Sequence, residues 1–115
     1  MFNYWNVKGI CMQFKDYLAT FPEISHLSGL DILENGNVIH TIPAIEGKLG
    51  SLKLYNALSS LFNGQLTAES AEQGLIWFAE HVDDAKANPG KHPNIDLLLQ
   101  VVAENKELLL KPKHK

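Results

Sequence analysis

Residues 26–43 read HLSGLDILENGNVIHTIP and contain the strongest local structural signal in the chain. Asn35-Gly36 separates two apolar, β-branched runs, and this pair favours a two-residue hairpin turn because both central positions need a positive φ. The register that follows from such a turn pairs Leu33 with Val38, Ile32 with Ile39, and Asp31 with His40.

One face of this hairpin is predicted to face the core, and it carries Leu30, Ile32, Ile39 and Thr41. A two-stranded hairpin is marginal alone, so it must pack on helices, gain a third strand or pair across a dimer. Asp31 opposite His40 suggests either a proton-transfer dyad or, as cross-strand charge pairs commonly are, a contact that stabilises the sheet.

The stretches before and after the hairpin have apolar residues at helical spacing. Residues 12–24, MQFKDYLATFPEI, repeat apolar side chains at helical spacing until Pro22. Three helices are predicted after the hairpin: one capped by Ser51 that ends at Asn63-Gly64, one from Thr67 to Ala87, and one from Ile95 to Glu107. Gly74 inside the second of them suggests a close helix crossing. The sequence therefore predicts a small α+β domain over residues 12–110, with an N-terminal helix, one hairpin and three helices.

Both ends of the chain differ from this pattern. Residues 1–11, MFNYWNVKGIC, are rich in aromatic side chains and lack a helix cap, so they form either an arm that packs on the domain or an extension upstream of a true start at Met12. The basic stretch KPKHK at residues 111–115 is predicted to be disordered.

Composition excludes several classes of protein. The 115 residues include 10 basic side chains, all lysine, against 13 acidic ones, and the net charge of −3 provides no basic field for nucleic acid or an anionic membrane. No apolar run approaches the roughly 18 residues that span a bilayer, and no signal peptide is recognisable. The single cysteine, Cys11, cannot form an internal disulfide. We expect a cytoplasmic protein.

Reactive side chains are densest in residues 80–96, EHVDDAKANPGKHPNID. His81 and Asp84 share one helix face, and His92 and Asp96 stand at the start of the last helix. These four could hold zinc, manganese or iron, or could act as general acid and base. Alternatively, Asn94 caps the last helix, Asp96 favours its first turn and His92 supports the loop. The candidate cluster comprises Trp77, His81, Asp84, Lys91, His92, Asn94 and Asp96.

Trp77 belongs to this cluster by helical spacing, because it precedes His81 and Asp84 on the same face. A partly exposed tryptophan often marks an interface or the wall of a pocket. The structural alternative is that Trp77 covers the hairpin or the N-terminal helix.

A second candidate site is the glycine-containing stretch GKLGS. Gly47, Lys48, Gly50 and Ser51 lead into a helix N-terminus, where backbone N–H groups, an ammonium and a hydroxyl could hold an anion. The stretch lacks the length and order of a Walker loop, so a nucleotide triphosphatase is not indicated. Glycines that serve only the turn and the cap would explain it equally well.

Three segments together resemble a family of small bacterial proteins known only as a domain of unknown function: GKLGSLKLY (47–55), AESAEQGLIWFAEH (68–81) and NPGKHPNIDLL (88–98). The resemblance covers about residues 12–110. It implies a cytoplasmic single-domain bacterial protein, and it transfers no catalytic residue, because none is established for the family.

Two hypotheses of function follow. The first is a non-enzymatic binding or interaction module that forms a homodimer through the hairpin edge or the N-terminal aromatic residues. The second is a small metal-assisted or acid–base enzyme that uses His81, Asp84, His92 and Asp96, with Lys48 or Lys91 holding an anionic group. The sequence names no cofactor.

Overall fold

The turn at Asn35-Gly36 joins the first two strands of an antiparallel sheet, and both residues have positive φ, 52° and 84°. The computed structural model describes residues 12–115, so the predicted arm at residues 1–11, with Cys11, lies outside the described residues. Within residues 12–115 the elements are α1 (Phe14–Leu18), β1 (Leu27–Glu34), β2 (Asn37–Pro43), α2 (Leu49–Leu61), β3 (Gln65–Leu66), α3 (Ala68–Phe78), α4 (His81–Ala87), α5 (Pro93–Glu104) and β4 (Leu108–His114).

A bulge between Ile32 and Leu33 changes the register of the hairpin. A bulge places an extra residue on one strand, so side chains beyond it move to the other face. Of the three predicted pairs, Leu33 with Val38 is observed. Ile32 pairs with His40 instead of Ile39, and Asp31 pairs with Thr41 instead of His40.

The predicted core face was wrong beyond this bulge. Ile39 and Thr41 are exposed, and Ile42 is buried in their place. The Asp31–His40 pair was also wrong, because Asp31 accepts a hydrogen bond of 2.8 Å from the hydroxyl of Thr41. His40 instead faces the helices.

The C-terminal stretch was the largest error of the sequence prediction. Residues 108–114 form β4, and the strand order β2-β1-β4-β3 places this strand inside the sheet rather than at its edge. Lys111 pairs with Asp31 and Pro112 with Leu30, so the supposedly disordered tail is part of a ladder. Pro112 lacks a backbone donor, but β3 pairs only with Leu108 and Leu109, so Pro112 has β1 on one side and no described strand on the other, and sheets tolerate proline at such an edge.

Helix boundaries also differ from the prediction. α2 begins at Leu49 with Lys48 as its N-cap, one turn earlier than the predicted cap Ser51. The predicted helix from Thr67 to Ala87 is two helices, since Ala79 has φ 52° and ends α3. The last helix spans Pro93–Glu104 rather than 95–107. Four helices therefore follow the hairpin in the described chain, where three were predicted.

The core lies between one face of the sheet and the helices α2, α3 and α5. Gly74 on α3 allows the predicted close crossing, because a Cβ there would lie 2.8 Å from Leu98 of α5 and 2.9 Å from Leu58 of α2. The largest fully buried side chain in the described residues is Tyr55 of α2. No helix in residues 12–115 is long and apolar enough to cross a membrane.

The opposite face of the sheet carries a short apolar row, which we call the outer strip: Val38, Leu33 and Leu109. The register places these three side chains side by side on β2, β1 and β4. Val38 is 54% and Leu109 53% exposed, so the described helices leave this row uncovered.

Candidate functional site

The starts of α2 and α5 open into one cleft, which the loop between α4 and α5 and the ring of Phe14 close on two sides. Its volume is about 210 Å³. The two segments that the sequence singled out separately, residues 47–51 and 80–96, therefore meet at the same place. The lining residues are Phe14, Gly47, Lys48, Ser51, Phe78, His81, Lys91, His92, Pro93, Asn94 and Ile95.

The α2 side of the cleft consists of Gly47, Lys48 and Ser51. Gly47 has φ 88°, which turns the chain into the helix, and Ser51 lies in the first turn, where backbone N–H groups have no partner within the helix. Gly50, the remaining member of the predicted loop, faces α1 instead: a Cβ there would lie 3.2 Å from the ring of Phe14.

On the opposite side of the cleft, Asp84 lies behind the lining residues and holds two of them in place. Its Oδ2 accepts a hydrogen bond of 2.6 Å from Nε2 of His92 and lies 3.0 Å from Nζ of Lys91. The side-chain amide of Asn88 donates to Oδ1 at 3.1 Å. The hydrogen bonds from His92 and then Lys91 hold the pKa of Asp84 below its ordinary value. The carboxylate thus fixes the side chains of both Lys91 and His92 in the loop.

His81 lies at the start of α4, where the break at Ala79 turns the chain. Its ring meets the edge of Phe14 at 5.1 Å between centroids and lies 6.1 Å from the ring of His92. Glu80 accepts a hydrogen bond of 2.8 Å from the backbone N–H of Phe14, which ties α1 to the helix break. The two histidines therefore face the same space.

Asn94 connects the cleft to the core. The residue is 7% exposed, and its Oδ1 accepts a hydrogen bond of 2.7 Å from Nε2 of His40 on β2. Its backbone carbonyl accepts a hydrogen bond of 2.6 Å from the hydroxyl of Tyr55, and burial raises the pKa of that hydroxyl. The prediction that Asn94 caps α5 was wrong, because His92 is the N-cap and Pro93 the first helical residue.

Besides Asp84, which lies behind the cleft, two more members of the predicted cluster do not line it. Asp96 accepts a hydrogen bond of 2.9 Å from the backbone N–H of Gly90 and lines a separate groove beside His40. Trp77 packs on Phe21 with 4.6 Å between ring centroids, so it covers a residue just beyond α1, inside the stretch 12–24 that was predicted to be the N-terminal helix.

The described residues offer no metal centre of the predicted kind. Within residues 12–115 no group of three or more His, Cys, Asp or Glu side chains is placed to hold a metal ion. The expected set of His81, Asp84, His92 and Asp96 fails because Asp96 binds the loop backbone instead.

Sequence reasoning missed the apolar wall and the network behind the cleft. Phe14 and Phe78, stacked at 5.3 Å, were not among the candidate site residues. Tyr55 was not singled out, and His40, which bonds to Asn94 as Tyr55 does, was paired with Asp31. Periodicity identifies a buried face but cannot show which of its members border a cavity, so only the aromatic content gave a signal.

A family model matches residues 14–112, almost all of the described chain, and its description reads "Uncharacterized protein conserved in bacteria". The resemblance drawn from the three sequence segments is confirmed by this match. No curated protein and no solved structure matches the chain.

Proposed function

Because the chain belongs to this uncharacterized bacterial family, DUF2322, we propose its function from the cleft alone: the protein binds a small anionic molecule between α2 and α5. The observation that carries the proposal is that two helix N-termini, two lysines and two histidines line one cleft. Such a binding module agrees with the first hypothesis drawn from the sequence.

The residues that line the cleft carry a charge opposite in sign to that of the whole protein, although the carboxylates of Glu80 and Asp84 lie behind them. The net charge is −3, yet none of the described residues that line the cleft is acidic, while Lys48, Lys91, His81 and His92 are all present. Among residues 12–115 the lysines in ion pairs are Lys91, Lys106 and Lys113, which leaves Lys48 without a carboxylate partner. An unpaired ammonium at a helix N-terminus favours an anion.

The first test is a titration of the protein with sodium phosphate, followed by two-dimensional ¹H–¹⁵N NMR at constant ionic strength. We expect the largest shift changes at residues 47–51 and 91–95. Lys48→Ala should weaken binding about tenfold or more, since a hydrogen bond to a charged group contributes about 1.5–3 kcal/mol.

Lys86→Ala is the matched control, because Lys86 is exposed on α4 and does not line the cleft. It should leave binding unchanged. Equal loss of binding in both lysine variants, or no shift change in the wild type at millimolar phosphate, would contradict the proposal.

A second candidate function is acid–base catalysis on the bound molecule. The Asp84–His92 hydrogen bond favours it, because a carboxylate that holds one imidazole nitrogen orients the ring and leaves the other nitrogen to transfer a proton. In this version the anion is a substrate. To separate binding from catalysis, each ligand that binds is incubated for a day with the wild type or with His92→Gln, and its NMR spectrum is followed. Chemical conversion of the ligand by the wild type alone supports catalysis. A ligand that stays unchanged with both proteins supports binding alone.

We propose self-association as a separate property, through β2 and the outer strip. β2 is an edge strand, its sequence NVIHTIP has no acidic or lysine side chain, and Val38 and Ile39 on it are exposed. Edge strands without charge are ready to pair with another strand. Partners other than a second copy, and a location in the cytoplasm, stay predictions from composition.

A further inference from the structure

We propose that the anion is a small organic acid, one charged head on a compact apolar body, rather than an inorganic anion or a nucleotide. This inference rests on the proposed function and adds the chemical class of the ligand. It follows from three properties of the cleft: its donor wall, its apolar wall and its size.

The donor wall is centred on Asn94. Because His40 donates to Oδ1, the amide NH₂ group has no acceptor among residues 12–115, although the residue is more than nine-tenths buried and lines the cleft. The hydrogen bond from Tyr55 to the backbone of Asn94 holds the start of α5 in place. No fully buried side-chain polar atom among residues 12–115 lacks a hydrogen-bond partner, so this NH₂ group is accessible to solvent, and a ligand oxygen in the cleft can accept a hydrogen bond from it.

The apolar wall consists of four of the residues that line the cleft. Phe14 and Phe78 stack with 18° between their planes, and Ile95 and Pro93 complete the wall. A bare phosphate or acetate ion would leave these surfaces in contact with water. An apolar group attached to the anion would cover them, at about 25 cal/mol for each Å² removed from water.

The volume of the cleft limits the size of the ligand. This volume is about 210 Å³. Pockets for drug-sized ligands begin near 300 Å³. A ring or short chain with one carboxylate fits this space, whereas a nucleotide does not.

The test compares four probes by calorimetry and NMR: benzoate, benzyl alcohol, acetate and phosphate. We expect benzoate to bind at least tenfold more tightly than acetate, and benzyl alcohol to bind more weakly than benzoate by a similar factor. All four should move the same amide signals, those of residues 47–51 and 91–95.

Two variants assign the effect to the two walls. Phe14→Leu should weaken benzoate severalfold and leave phosphate unchanged, whereas Phe21→Leu, which alters an aromatic ring outside the cleft, should change neither. Asn94→Asp keeps an oxygen to accept from His40 but replaces the donor by a carboxylate, so it should abolish benzoate binding. Circular dichroism checks that each variant is folded.

The outcomes separate this inference from the proposed function. If phosphate binds and benzoate binds no better than acetate, the organic-acid inference is wrong and the anion cleft stands. If none of the anions binds, both are wrong. If Phe14→Leu weakens phosphate as much as benzoate, the apolar wall does not contact the ligand and the inference fails.

Discussion

Ala79 has a backbone conformation that glycine adopts more readily than alanine does. Its φ is 52° and its ψ −118°, at the point where α3 ends and α4 begins. A Cβ in this region costs about 1–2 kcal/mol. We expect Ala79→Gly to raise the free energy of unfolding by about 1 kcal/mol, measured by urea denaturation.

Ala103→Gly is the control for this change, because Ala103 is an exposed residue of α5 with ordinary helical surroundings. It should lower the free energy of unfolding by about 0.5–1 kcal/mol. If Ala79→Gly destabilises the protein by as much, the strain assigned to Ala79 is not real.

The hydrogen bonds on Asp84 predict an acid-dependent loss of stability. Its pKa is lowered in the folded protein from the ordinary 3.8, first by His92 and then by Lys91. Between the two pKa values the unfolded chain binds more protons, so the contribution of Asp84 is present above 3.8 and is lost as the pH falls through the folded pKa.

We therefore expect Asp84→Asn to reduce stability at neutral pH and to flatten the decline of stability between about pH 5 and pH 2. Chemical denaturation over this pH range measures both effects. Asp83→Asn, an exposed neighbour on α4, should retain the wild-type decline. A parallel decline in wild type and Asp84→Asn would show that the carboxylate contributes nothing to the pH dependence.

The sequence identified several residues of the candidate site one by one, but it did not show that they lie close together in the fold. Lys48 and Ser51 were predicted as site residues because they lie in a glycine-containing stretch before a helix. His81 and His92 were predicted because reactive side chains are densest in residues 80–96. That the two groups line one cleft depends on how α2 packs beside α5, which is long-range packing that no local pattern encodes. His40 was misassigned because one bulged residue changes which strand position it occupies.

Among the elements, β4 shows where pattern reasoning fails. Its inward positions Leu108 and Leu110 alternate with the outward Leu109 and Lys111, which is a strand pattern. The alternation covers too few apolar residues to indicate a strand against one proline and two lysines, and the pattern of the preceding helix continues into it. Likewise, the apolar residues between positions 71 and 85 keep helical spacing across Ala79. The sequence pattern therefore gives no sign of the break between α3 and α4.

Deletion of residues 111–115 tests the role of this strand. The deletion removes four pairings with β1, including those of Lys111 and Pro112. We expect the free energy of unfolding to fall by about 2–4 kcal/mol, at about 1 kcal/mol for each lost backbone hydrogen bond. The double variant Lys111→Ser/Lys113→Ser keeps the backbone and should lose much less. An unchanged unfolding midpoint after the deletion would mean that these residues do not pair.

At the scale of the whole molecule, the open sheet face and the β2 edge predict a homodimer. Sedimentation equilibrium of the wild type should show a dimer at high micromolar concentration. Val38→Lys and Leu109→Lys should raise the dissociation constant tenfold or more, because each places a charge in an apolar contact. Ile76→Lys, on the exposed side of α3, is the control and should have no effect. A wild type that is monomeric at this concentration would eliminate the proposal.

The inner position of β4 has a consequence for synthesis. The hydrogen bond between the Ser28 hydroxyl and the Lys113 carbonyl joins residues 85 positions apart. A nascent chain on the ribosome therefore carries β1 with one side unpaired, and β3 without its neighbour, until residues 108–114 emerge. The helices are made before the sheet beneath them can close. Closure of so long a loop is slow, so insertion of the last strand is the expected rate-limiting event of folding.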